Sequence, residues 1–107
     1  MNIRLTLIAL ALLLSVPVAA QDLTVISYNI RYNSSGDGDD LWDLRKAELV
    51  AQIKAHKPSS FGVQEATHTQ MLYLAETLPD YAYVGVGRDD GSTQGEYSAI
   101  FYQKARF

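Results

Sequence analysis

LTVISYNIRY, residues Leu23–Tyr32, is the stretch on which the reading of this chain turns. It is rich in β-branched and aromatic residues and free of breakers, which predicts a mostly buried strand. Side chains alternate along a strand, so Ser27 and Asn29 share one face while Tyr28 and Ile30 share the other. An amide near the end of an apolar strand is costly unless its hydrogen bonds are met. Asn29 therefore either bonds the adjoining loop or is placed there for chemistry.

Outward toward the C-terminus, NSSGDGDD (33–40) sustains neither period and reads as a loop. A helix is predicted over about 43–56, with Trp42, Leu49, Val50 and Ile53 in one sector and Arg45, Lys46, Glu48 and Lys54 wet or half-wet. Pro58 ends it. SSFGVQ (Ser59–Gln64) is a short second strand. Thr67 and Gln70 form a capping box for a second helix, with Met71, Leu74, Ala75 and Leu78 as its buried stripe. YAYVGV (Tyr81–Val86) and EYSAIFYQ (Glu96–Gln103) are two further strands, joined by a polar turn over Gly87–Gly95. Tyr28, Tyr32, Tyr81, Tyr83 and Tyr102 fall at strand positions and are expected to pack. Strand–helix–strand units call for helices packed on a sheet.

Outward toward the N-terminus, residues 1–20 read as a secretory leader: one charge at Arg4, an apolar run from Leu5 to Leu14, and Val18 and Ala20 at the small positions before a cleavage site. The run is too short for a spanning helix with polar flanks. The remaining residues, 21–107, make at most one domain. Export to the periplasm or the medium is the expectation. There are no cysteines, so neither a disulfide nor a lipid-modified cysteine is available. Nine basic residues stand against twelve acidic ones, a net charge of −3. Binding nucleic acid without sequence preference rests on neutralising phosphates, and this balance does not point to it.

Glu65 closes the second strand. Ligand sites in open α/β sheets lie beyond the carboxyl ends of the strands, and a carboxylate there suits a hard cation. The plainer reading is a solvated Glu before a helix N-terminus, favoured by the helix dipole. If the first two strands are parallel neighbours, Asn29 and Glu65 end on one rim. Mg²⁺ is typically held by one or two such ligands, with water and substrate phosphate completing its shell. Glu96 opens the last strand after a glycine turn and by itself reads as an exposed Glu. Arg31 and Arg88 near the rim read as solvated. Asp37, Asp39 and Glu48 have the spacing of a calcium loop, but Leu41 and Trp42 occupy positions that need an oxygen ligand and a glycine.

The runs VISYNIRY (Val25–Tyr32), WDLRK (Trp42–Lys46), FGVQE (Phe61–Glu65), YVGVGRDDG (Tyr83–Gly91) and GEYSAIFY (Gly95–Tyr102) resemble, in order and spacing, five landmarks of the endonuclease/exonuclease/phosphatase (DNase I-like) superfamily. The likeness is greatest to its exported bacterial members. The resemblance implies an α/β fold, the N-terminal half of a four-layer α/β/β/α sandwich, with one mixed sheet carrying two helices on one face and a second sheet covering the other. It implies that Glu65 is the main ligand of Mg²⁺ or Mn²⁺, that Asn29 belongs to the same metal site, and that Glu96 is the glutamate that orients a catalytic histidine. Gln64 is expected to be structural. Ser59 departs from the family, which usually has an acid after that proline. The family's general-base histidine, its aspartate partner and an Asp-x-Asn pair have no counterpart here, and His56 and His68 match none of them. The expectation is a metal-dependent phosphoester hydrolase cut off before most of its catalytic residues, with negligible turnover by this chain alone. The rival from another class is a non-catalytic exported binding module that keeps the fold.

Overall fold

The computed structural model describes residue 17 and residues 19–107, so the predicted leader lies almost wholly outside the described residues. Apolar alternation becomes four strands, β1 (Val25–Asn29), β2 (Ser60–Ala66), β3 (Tyr81–Val84) and β4 (Tyr97–Gln103). Helix α1 (Trp42–His56) joins β1 to β2, and helix α2 (His68–Thr77) joins β2 to β3. The strands form one mixed sheet in the order β1-β2-β4-β3. β1 and β2 are parallel, in register from Val25↔Ser60 to Asn29↔Gln64. β4 runs antiparallel to both β2 and β3. This is the α/β arrangement that the sequence predicts.

Local chemistry explains the helix boundaries. Lys57 turns left-handed (φ 46°) and its N–H donates to the Ile53 carbonyl, closing α1 just before Pro58. At α2 the capping box is complete: Thr67 Oγ1 accepts from the Gln70 N–H, and Gln70 Oε1 accepts from the Thr67 N–H at 2.8 Å. Both helices lie on one face of the sheet. Phe61 and Val63 of β2 and Tyr97, Ala99 and Phe101 of β4 alternate inward, and they join Trp42, Leu49, Val50 and Ile53 of α1 and Met71 and Leu74 of α2 in one buried cluster. Phe61 stacks on Phe101 (centroids 4.7 Å apart) and takes the Tyr81 ring edge-on at 5.3 Å. The other face is open: Val25, Val84 and Ile100 are each more than half exposed.

The carboxyl ends of three strands differ from the sequence reading. β1 ends at Asn29, because Arg31 is left-handed (φ 63°) and turns the chain out of the ladder. Tyr32 is consequently 45% exposed and does not pack as predicted. β3 stops at Val84, because Gly85 (φ 147°) passes so close to β4 that a Cβ there would lie 2.7 Å from the Ala99 Cβ. β2 instead runs on to Ala66. Ser59, the departure from the family pattern, is buried and receives an Arg106 guanidinium hydrogen bond at 2.6 Å.

Phe61→Ala removes the ring at the centre of the aromatic stack, where the side chain is fully buried. The expected loss is about 3–5 kcal/mol of unfolding free energy, read from urea titration. A loss under about 1 kcal/mol, the scale of an ordinary surface change, would contradict this packing.

Candidate functional site

The parallel register sets Asn29 opposite Gln64, so Glu65 follows at the same carboxyl-terminal rim of the sheet. The Ile30 N–H donates to the Gln64 carbonyl at 3.2 Å, holding the two chains together past the end of β1. The β2–β4 pairing shifts register between Val63 and Ala66, and within that bulge Glu65 is left-handed (φ 62°). A bulge of this kind re-aims a side chain. Left-handed backbone costs an L-residue about 1–2 kcal/mol, and such strain concentrates at functional positions.

The result is a small hydrogen-bonded cluster. The Arg31 N–H donates to Asn29 Oδ1 at 3.0 Å, and the Tyr32 N–H donates to Glu65 Oε2 at 3.2 Å. The Asn29 side-chain amide beside the Glu65 carboxylate is the main reason that carboxyl sits below the usual carboxylate range. The Tyr32 N–H adds to the effect, burial opposes it, and the Arg31 charge contributes a little. A carboxylate can only accept, so it is the NH₂ end of the Asn29 amide that favours its charged form.

This donor set fits a hard cation. A carboxylate has about four lone-pair sites, of which the Tyr32 N–H uses one. Among the described residues no group of three or more His, Cys, Asp or Glu converges, so an all-protein cage of the zinc type is not what these side chains offer. One charged carboxylate beside an amide suits an ion that keeps most of its waters.

The remaining candidates are placed differently. The Ala66↔Tyr97 pairing brings Glu96 to the same rim, where its carboxylate pairs with the Arg88 guanidinium at 3.0 Å. Arg31 is engaged by Asp37 (3.1 Å) and Asp40 (3.5 Å). His56 ends α1, exposed and away from the rim. His68 Nδ1 lies 2.9 Å from the Tyr97 hydroxyl, which donates to the Ser92 carbonyl at 3.0 Å. A phenol has one proton, so with that proton given to Ser92 the Tyr97 hydroxyl accepts from His68 Nδ1–H. Two residues of the rim escape sequence reasoning. Arg45 is not simply solvated: its guanidinium donates to the carbonyls of Ile30, Arg31 and Asp40. Gln70, the capping residue, is fully buried and also donates to the Arg31 carbonyl at 2.9 Å.

Comparison with known proteins places this geometry. No family model matches the chain, and neither does any curated protein. Solved structures do. An endonuclease/exonuclease/phosphatase family protein from Bacteroides thetaiotaomicron superposes with a TM-score of 0.74 and 43% identity over 77% of this chain and 31% of its own. One from Bacteroides vulgatus gives 0.70 and 41% over 76% and 30%. A mannosyl-6-phosphatase of Bacteroides thetaiotaomicron VPI-5482 gives 0.76 and 42% over 78% and 32%. The chain thus spans about a third of the length of these structures.

Two outcomes test the cluster. Glu65→Ala and Glu65→Gly both remove the carboxylate, but only glycine relieves the left-handed backbone. The glycine variant should be the more stable by about 1 kcal/mol in thermal or urea unfolding, and equal stability would argue against the strain. Glu65, followed by carboxyl-carbon NMR, should titrate below an ordinary glutamate, and Asn29→Ala should move its midpoint upward. Since the folded value is the depressed one, the stability tied to this carboxylate is complete above the ordinary glutamate range. It is lost as pH falls through the folded midpoint.

Proposed function

We propose that this chain, which belongs to the endonuclease/exonuclease/phosphatase superfamily, carries the metal-binding rim of an exported hydrolase of phosphoester bonds. The observation that carries this reading is the convergence of Asn29 and Glu65 on one rim, with the carboxylate held in its charged form. Glu65 would bind Mg²⁺ or Mn²⁺, and the Asn29 amide would orient that carboxylate while its own oxygen faces the same site. Bound there, such an ion polarises a phosphoryl oxygen and stabilises charge on the leaving oxygen. Glu96, held by Arg88 at the same rim, is assigned a positioning role toward the proton-transfer group of the whole enzyme. The leader read at residues 1–20 supports export. No helix among the described residues is long and apolar enough to cross a membrane.

The net charge of −3 and the likeness to a mannosyl-6-phosphatase favour a small phosphoester, such as a sugar phosphate, over nucleic acid. Turnover belongs to the whole enzyme, so metal uptake by this chain is the direct test. Mn²⁺ titration followed by water-proton relaxation should show one site, and Glu65→Ala should weaken it at least about tenfold, the scale of one lost charged ligand. Undiminished binding by Glu65→Ala would sink the reading and favour the binding-module alternative. For a protein that also carries the rest of the domain, EDTA should abolish hydrolysis of sugar phosphate and of bis-p-nitrophenyl phosphate.

A further inference from the structure

The two N–H groups that bond Asn29 and Glu65 belong to consecutive peptides, and each of these peptides is gripped at its other end. A trans peptide is a rigid plane with its C=O and N–H directed oppositely. In the first plane, the Ile30 carbonyl accepts from Arg45 Nη1 at 2.5 Å while the Arg31 N–H meets Asn29 Oδ1. In the second, the Arg31 carbonyl accepts from Arg45 Nη2 and from Gln70 Nε2, both at 2.9 Å, while the Tyr32 N–H meets Glu65 Oε2. Arg45 Nε also donates to the Asp40 carbonyl at 2.8 Å, which fastens the far end of the loop to the same guanidinium.

We infer that Arg45 and Gln70 are positioning residues that set the orientation of Asn29 and Glu65 through these two peptide planes. The inference rests on the metal-site reading only for its functional consequence. A planar guanidinium with five fixed donors can span adjacent carbonyls, whereas a lysine ammonium is a point charge on a flexible stem. Shape, not charge, is therefore the property at work. Gln70 supplies the second grip from a different helix, and its full burial fixes the amide in place. A hydrogen bond at the carbonyl also polarises the peptide and strengthens its N–H as a donor.

Arg45→Lys keeps the charge and removes the fork. In the metal-free chain it should speed amide hydrogen exchange at Arg31 and Tyr32 by about tenfold or more, the signature of one lost hydrogen bond of ordinary strength. With Mn²⁺, affinity should fall by a similar factor. Lys46→Ala, on the same helix but engaged by Asp43 and the Tyr73 ring and not by the two carbonyls, should leave both readouts unchanged. Gln70→Met should move them in the same direction as Arg45→Lys, and further than Thr67→Ala, which weakens the α2 cap without touching the Arg31 carbonyl. Unaltered exchange at Arg31 and Tyr32 in Arg45→Lys would overturn the inference, as would faster exchange with undiminished Mn²⁺ affinity. Should the wild-type chain take up no Mn²⁺, the metal reading falls and exchange alone decides whether Arg45 positions the pair.

Discussion

Peptide planarity is the constraint from which the rim is built. The chain leaves β1 at Asn29 and turns left-handed at Arg31, which takes its next carbonyls out of the sheet ladder. Buried or half-buried carbonyls need donors, and here side chains from both helices supply them. Because the peptides are rigid, satisfying the carbonyls also aims the N–H groups. Helix placement, loop shape and the charge state of Glu65 are thus one problem with one solution. The helices are in turn fixed by the aromatic and aliphatic cluster beneath the sheet, so the rim is a readout of core packing.

Two non-glycine residues, Arg31 and Glu65, sit in left-handed backbone at this rim. Sequences that maximise stability place glycine or asparagine at such positions. A glutamate at the bulge instead keeps a carboxylate where the sheet ends. Arg31 is compensated differently, by a two-point pairing with Asp37 inside the loop that it opens. The acidic loop 33–40 therefore acts partly as a counterweight to the turn, and its Asp37 carboxyl is held low by the Arg31 hydrogen bond.

Much of this was legible in the sequence. Alternation at Phe61–Val63 and Tyr97–Ala99–Phe101, helical period at Leu49–Val50–Ile53, and the Thr67–Gln70 box each obey a local rule, so each could be read without tertiary information. That Asn29 and Glu65 end together followed from one further assumption, parallel pairing of the first two strands, which the register bears out. What stayed hidden depends on contacts remote in sequence. Arg45 lies on the polar side of its helix and looks like any solvated arginine until residues 30 and 31 curl back beneath it. Gln70 announces its capping role but not its second bond, 39 residues away. No residue type signals the left-handed turns, and the early end of β3 depends on how closely Gly85 approaches Ala99.

The order of the strands has a consequence for assembly. β4, the last of the four strands along the sequence, lies between β2 and β3 and is the partner of both. Without β4, β3 has no neighbour and β2 has only β1. β4 thus closes the four-stranded sheet from its middle, so its pairing is complete only when that strand docks.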